Sequence, residues 1–92
     1  MKVTLSPAAR IDRREAEWYY GSAAPAARRA FLAELRDALR YIGEYPYGAP
    51  AFDAVFRGKT MLRHPYTIIY TVEKTRVLVV AIACEWREPR PR

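Results

Sequence analysis

The sequence predicts a small α+β protein in which an antiparallel helical hairpin packs on a small antiparallel sheet, preceded by an N-terminal strand. Three observations predict this fold. Two amphipathic segments, each opened by a proline, follow one another with only a few residues between them. Two β-type segments near the C-terminus are joined by a short turn. The last of them, residues 76–84, is apolar at nearly every position, which is typical of a strand covered on both faces.

The N-terminal elements follow from alternation and capping. Polar and apolar residues alternate over residues 2–5, which indicates a short edge strand. Ser6 then caps a helix, and Pro7 takes its first position, where the missing N–H costs nothing. The helix is predicted to run to about Tyr20, where a Gly-Ser pair ends it.

The second helix begins at Pro25, because apolar residues recur from there at spacings of three and four. Gly43 is the expected stop. Residues 44–50 contain two prolines and a glycine, so we predict a loop that Tyr45 and Tyr47 hold to the body.

Three strands are predicted next, at residues 54–62, 66–73 and 76–84. In the last strand, simple alternation places Val77, Val79, Ala81 and Ala83 on one face and Leu78, Val80, Ile82 and Cys84 on the other. The helical hairpin would cover one face, and chain termini, loops or a second polypeptide the other. We expect one domain over residues 1–92, with an extended basic tail at about 87–92.

Composition narrows the functional classes. Sixteen Lys and Arg against ten Asp and Glu give a net charge of +6, which supports an anionic partner, either nucleic acid or an acidic protein segment, with a contribution to solubility alone as the alternative. The single cysteine, Cys84, indicates a reducing compartment. The N-terminus has no apolar leader and no apolar run could span a bilayer, so we expect a soluble cytoplasmic protein without membrane contact.

Most enzyme motifs are absent from the sequence, including phosphate-binding glycine loops and metal-binding HExxH or CxxC patterns. One histidine and one cysteine cannot complete a tetrahedral site, so no metal and no cofactor are predicted. Cys84 is interpreted as a core thiol, with a nucleophile as the alternative. His64 is either a loop residue that orients the backbone or a general acid or base on RNA, which would need a partner of opposite role.

Basic residues lie on both sides of the predicted sheet. Arg57, Lys59 and Arg63 accompany its first strand, and Arg87, Arg90 and Arg92 follow its last. Arg63 and Arg87 could share one edge and hold phosphates or carboxylates, and the alternative is a solvated rim. Trp86 is expected to be exposed and to anchor a partner. The run Trp18, Tyr19 and Tyr20 is expected to pack in the helical hairpin, with base stacking as the alternative.

The order of these elements resembles that of the RelE/ParE toxins of type II toxin–antitoxin systems. The resemblance is carried by EAEWYY (15–20), ARRAFLAELRDAL (27–39), the Tyr45-Pro46 loop, HPYTIIY (64–70) and AIACEWREP (81–89). The last two segments are similar to the ParE pattern of Phe-Pro-Tyr, a strand ending in Tyr, Ala-Val-Ala-His and Arg-x-Pro. His64 replaces the phenylalanine of that branch and Cys84 its histidine.

The resemblance implies a ParE-like inhibitor of DNA gyrase that is not itself a catalyst. A RelE-like ribosome-dependent mRNA endoribonuclease is the alternative, with Lys59, Arg63, His64 and Arg87 as its catalytic residues. Against it, Thr67 stands where RelE toxins carry an arginine after the strand tyrosine, and no tyrosine lies in the tail. A degenerate, non-toxic antitoxin-binding module is the third hypothesis.

The resemblance also implies the partners. A cognate, ParD-like antitoxin with an N-terminal ribbon-helix-helix would wrap the toxin with its C-terminal segment, and DNA would be contacted only through it. We expect antitoxin contacts at Trp18, Tyr19, Phe31, Leu35 and Leu39. Contacts with the gyrase target are expected at Arg63, Trp86, Arg87, Arg90 and Arg92.

Overall fold

The computed structural model describes residues 1–86 and has the α+β architecture predicted from the sequence. Its elements are β1 (Lys2–Leu5), α1 (Pro7–Ala23), α2 (Pro25–Glu44), β2 (Arg57–Thr60), β3 (Tyr66–Val72) and β4 (Arg76–Cys84). The four strands form one sheet in the order β1-β4-β3-β2. The sheet is mixed, because β1 pairs with β4 in parallel while β2, β3 and β4 are antiparallel. The basic tail predicted at 87–92 lies outside the described residues.

The first helix begins as predicted and ends later. The Ser6 hydroxyl accepts a hydrogen bond from the Ala9 N–H at 3.1 Å, the expected cap. The Gly-Ser pair stays helical, and α1 runs on to Ala23. Its end is set by Ala24, which is extended with φ −167° because the residue before a proline avoids helical geometry. The helix boundary therefore depends on Pro25 and not on the glycine.

The second helix also passes through its predicted stop, since α2 includes Gly43 and ends at Glu44. Gly43 is required for a close approach of the chain. A Cβ atom built there would lie 2.8 Å from the carbonyl oxygen of Met1 and 3.2 Å from Cγ2 of Val3. The amino group of Met1 donates to the Gly43 carbonyl at 2.6 Å. The glycine thus allows β1 to lie against the end of α2.

The second strand is shorter than predicted, because residues 54–56 belong to a turn. The Asp53 carboxylate accepts hydrogen bonds from the N–H groups of Val55 and Phe56, both at 2.8 Å. This aspartate-centred turn satisfies backbone donors that a strand would have paired. Phe52 then lies over Gly58, whose missing side chain leaves room for the ring.

A β-bulge changes the predicted faces of β4. Ile69 pairs with Ala81, but the next residue of β3, Tyr70, pairs with Val79, which leaves Val80 without a partner in β3. The buried residues of β4 are therefore Val77, Val79 and Ile82, with a spacing of two and then three. Strict alternation over the whole strand was wrong.

The helices cover one face of the sheet, and the other face stays partly exposed. The core contains Ile68, Tyr70, Val77, Val79 and Ile82 from the sheet and Ala9, Ala16, Phe31, Leu35, Ala38 and Ile42 from the helices. On the outer face, Ile69, Leu78, Ala81 and Ala83 are half-buried. The prediction that β4 is covered on both faces is therefore only partly met by the described residues.

The loop after α2 is held to the body through several of its residues. Tyr45 and Tyr47 are exposed, but the Tyr45 ring lies 5.3 Å from that of Tyr41, and the Arg57 guanidinium lies 5.1 Å from the Tyr47 ring centroid. The buried Tyr70 donates its hydroxyl to the Pro46 carbonyl at 2.7 Å, and Arg57 Nη1 donates to the Ala49 carbonyl at 2.9 Å. Within residues 1–86, neither helix is both long and apolar enough to cross a membrane.

Gly43→Ala is expected to lower the free energy of unfolding by about 1–3 kcal/mol, although alanine favours helices by about 1 kcal/mol in an open position. The new methyl group would collide with the Met1 carbonyl, which directly precedes β1, and with the Val3 side chain, and β1 cannot move away without losing its pairing with β4. The control is Gly21→Ala, whose Cβ would meet only the flexible Arg28 side chain at 3.3 Å. Urea denaturation of both variants checks this, and equal stability changes at the two glycines would contradict it.

Candidate functional site

The loop formed by residues 61–65 connects β2 to β3 and presents Leu62 and Arg63 to solvent. Glu34, on α2, holds this loop. Its Oε2 accepts hydrogen bonds from the N–H groups of Leu62 at 3.0 Å and Arg63 at 2.9 Å. A carboxylate that accepts several backbone donors fixes the loop with charge-assisted bonds. Both exposed residues are therefore tied to α2 through their backbone.

His64 completes this arrangement from the inner side. Its Nδ1 lies 2.7 Å from Oε1 of Glu34, and because a carboxylate only accepts, Nδ1 carries the hydrogen. The imidazole meets the rings of Tyr20 and Phe31 edge to face, at centroid distances of 4.9 Å and 5.4 Å. This geometry fits the interpretation of His64 as a residue that orients the loop.

The electrostatics of Glu34 reflect these contacts. Burial raises the pKa of the Glu34 carboxyl, but the hydrogen bonds from His64, Arg63 and Leu62 outweigh burial and lower the pKa below its ordinary value. The ionised form is therefore the one that the folded protein stabilises. Sequence reasoning missed Glu34, because it lies mid-helix and 30 residues from His64, and no local motif marks the contact.

Three of the four residues proposed for ribonuclease chemistry line one shallow depression between α2 and the loop, with a volume of about 400 Å³. These are Lys59, Arg63 and His64. Glu34 and Asp37 line the same depression, so its charge is mixed. The Lys59 ammonium lies 4.6 Å from the ring centroid of Tyr41. The fourth residue, Arg87, lies outside the described residues, as do the target-contact candidates Arg90 and Arg92.

Exposed aromatic side chains lie near the end of α1 and after β4. Trp18 is 75% exposed and Trp86 78% exposed. Tyr19 and Trp86 line a small cup together with Tyr20, Pro65, Tyr66 and Cys84. The expected exposure of Trp86 is confirmed. The expected packing of Trp18 and Tyr19 in the hairpin was wrong, since Tyr20 alone of the three stacks on Phe31, at 5.2 Å.

The residues suggested for antitoxin contact divide into surface and core. Trp18 and Tyr19 are exposed. Leu39 is half-buried and lines a groove with Val3 and Leu5, beside β1, which is the edge strand of the sheet formed by residues 1–86. Phe31 and Leu35 are buried, and their burial in the core corrects the expectation of a direct contact. They support the surface from beneath.

Within residues 1–86, no three histidine, cysteine or acidic side chains come together in a way that could hold a metal ion. What the fold displays instead is exposed aromatic and cationic side chains on a small helix-and-sheet body. Large exposed aromatic residues are typical of protein-binding surfaces.

Comparison with known proteins gives the family. The family model of the ParE toxin of type II toxin-antitoxin system, parDE, matches residues 3–88, so this chain belongs to the ParE toxin family. The fold is similar to that of a solved chain from the chromosomal ParDE toxin–antitoxin system of P. aeruginosa, with a TM-score of 0.76 and 16% identity. The match covers 89% of this chain and 92% of that one. No curated protein matches the sequence significantly.

The lowered pKa of Glu34 predicts a pH dependence of stability. The folded state holds the ionised carboxylate more tightly than the unfolded state, whose pKa is about 4.3. The resulting stabilisation is fully present above that pH and is lost as the pH falls through the lower pKa of the folded state. Glu34→Gln should therefore lower the free energy of unfolding at pH 7 by about 1–3 kcal/mol. Below about pH 5 the variant should lose less stability with falling pH than the wild type does.

Urea denaturation between pH 3 and pH 7 measures this difference. Glu44→Gln is the matched control, because it removes a carboxylate from an exposed position of the same helix. A Glu34→Gln variant whose stability falls with acid as steeply as that of the wild type would contradict the assignment.

Proposed function

We propose that this protein is the toxin of a type II toxin–antitoxin pair that inhibits DNA gyrase in the cytoplasm and is neutralised by a ParD-like antitoxin. The observation that carries the proposal is the match of the ParE toxin family over residues 3–88. The resemblance of this chain to ParE-like toxins implies that it poisons gyrase. This action needs a binding surface more than a catalytic centre.

The geometry of the depression favours binding over RNA cleavage. A ribonuclease would place cations and a proton-transfer group around one phosphate. Here Lys59 faces the Tyr41 ring, and the Nδ1 hydrogen of His64 points to Glu34. A phosphate entering the depression would also meet the carboxylates of Glu34 and Asp37. The endoribonuclease is therefore the second candidate, and it depends on Lys59, Arg63, His64 and Arg87.

A supercoiling assay tests the proposed target. Purified gyrase, relaxed plasmid and ATP are combined with the protein, with and without its antitoxin. We expect less supercoiling and an accumulation of cleaved plasmid, both reversed by the antitoxin. If a folded, antitoxin-free preparation leaves supercoiling unchanged, gyrase is not the target. Cleavage of message in a translation extract by the same preparation would then support the ribonuclease, and harmless expression without antitoxin the non-toxic module.

The antitoxin is proposed to contact Trp18, Tyr19 and Leu39. Trp18 and Tyr19 are exposed near the end of α1, and Leu39 lies in the groove beside β1, so a wrapping segment could cover both regions. Such a segment orders on binding and gains a large interface in return. The ribbon-helix-helix of the antitoxin would supply the contact with DNA.

Trp18→Ala is expected to weaken antitoxin binding by about tenfold or more, the loss expected when an exposed aromatic anchor is removed. Folding should be unaffected, because the side chain is largely in solvent. Titration calorimetry with the purified antitoxin gives the affinity. Val55→Ala, in the exposed loop before β2, is the control. Equal antitoxin affinities for the two variants would show that Trp18 does not contribute to antitoxin binding.

A further inference from the structure

The most exposed large apolar side chain among the described residues is Leu62, at 90% exposure. It stands next to Arg63, and because these two are the exposed residues of the 61–65 loop, we call the pair the Leu62–Arg63 tip. The flanking residue Met61 is buried. An isolated exposed leucine is common on protein surfaces, so its exposure alone carries no conclusion.

What distinguishes the tip is how firmly its backbone is held. Both of its N–H groups donate to Glu34. The loop is closed on itself by hydrogen bonds from the Met61 N–H to the Tyr66 carbonyl at 2.9 Å and from the Tyr66 N–H to the His64 carbonyl at 2.8 Å. A loop whose backbone is already held loses little backbone entropy on binding, and such preorganisation favours affinity.

The charge around the tip indicates the kind of partner. Arg63 supplies a cation, but Glu34 and Asp37 line the depression directly behind it. For a nucleic-acid backbone, the two carboxylates would offset the cations Arg63 and Lys59, and Lys59 already lies over the Tyr41 ring. Leucine offers nothing to a phosphate. An apolar pocket on a protein, with carboxylates on its rim, would receive the leucine and pair with the arginine.

We propose that the Leu62–Arg63 tip is a docking knob that inserts into an apolar, carboxylate-rimmed pocket on the protein target of this toxin. The proposal rests on the proposed function, because it supplies the target contact of the same toxin. The tip connects β2 to β3. The apolar groove of Leu39 lies beside β1, the strand at the opposite edge of the sheet from β2. The tip and the Leu39 groove are therefore separate surfaces, whereas Tyr19, another proposed antitoxin contact, lines the cup that includes Pro65 of the loop.

The first measurement compares tip variants in the supercoiling assay. Leu62→Ser and Arg63→Glu are each expected to raise the concentration for half-maximal gyrase inhibition by about tenfold or more. The matched controls are Val55→Ser, an exposed apolar residue in another loop, and Lys74→Glu, an exposed cation in the β3–β4 turn at the far end of β3. The controls should stay within about twofold of wild type. Circular dichroism and antitoxin affinity, expected to be unchanged in all four variants, exclude misfolding.

The second measurement identifies what the tip touches. A photo-crosslinking benzoylphenylalanine at position 62, or at position 55 as control, is irradiated with gyrase and plasmid and separately with ribosomes carrying message. We expect an adduct from position 62 and none from position 55. The adduct should be lost on treatment with protease and should survive nuclease, as expected for a protein partner. A nuclease-sensitive adduct, or tip variants that inhibit gyrase as well as wild type does, would overturn the proposal and leave gyrase inhibition intact.

The remaining outcomes separate the two proposals. A protein adduct from position 62 with a ribosomal protein, with no inhibition of gyrase, would refute the gyrase target while supporting the knob. Loss of antitoxin affinity in Leu62→Ser and Arg63→Glu, with gyrase inhibition kept, would assign the tip to the antitoxin and overturn the proposal as stated.

Discussion

Burial of the inner face of β4 is the interaction on which the rest of the structure depends. Val77, Val79 and Ile82 are almost completely buried, and the strand is paired by β1 on one side and β3 on the other. Beyond the end of β1, Ser6 and α1 provide hydrogen-bond partners for the backbone of β4. The Asp12 carboxylate accepts the Ile82 N–H at 2.9 Å, and the Ser6 N–H donates to the Val79 carbonyl at 2.9 Å. A small domain has few buried side chains, so each of these contacts carries a large share of the stability.

The loop of residues 61–65 is held in place by contacts that begin in the core. Phe31 is fully buried and stacks on Tyr20, and both rings enclose the imidazole of His64. The imidazole in turn orients the carboxylate that holds the backbone of Leu62 and Arg63. A continuous path of contacts therefore leads from the hairpin packing to two exposed side chains. A partly buried carboxylate is costly unless its hydrogen bonds are satisfied, and here the loop supplies them.

Local pattern predicted the type and order of the elements well. Ser6 and Pro7 marked one helix start and Pro25 the other, because capping and the fixed φ of proline are properties of single residues. The glycines at 21 and 43 misled the prediction of helix ends, since a glycine is a stop only when it adopts a positive φ, and neither does. The role of Gly43 depends on Met1, which lies 42 residues away in the chain.

The candidate site was less accessible to sequence reasoning for the same reason. Arg63, His64 and Trp86 were found by residue type and position, but the contact that arranges two of them comes from Glu34 on another element. Phe31 and Leu35 were expected to contact the antitoxin because the resemblance places it on the helical hairpin; both are buried in the core. Periodicity identifies an apolar face without telling what covers it. Long-range pairing decides such questions, and it leaves no trace in a local window.

The unpaired Val80 has a consequence for comparing relatives of this protein. Because β4 has one residue more than β3 opposite it, the inward-facing positions before and after the bulge are out of phase. A family member with a regular strand would carry one residue fewer there. An alignment without a gap at position 80 would then match inward residues with outward ones over half of the strand. At 16% identity, sequence conservation alone would not reveal the error, and a superposition of the two backbones would be needed to place the gap.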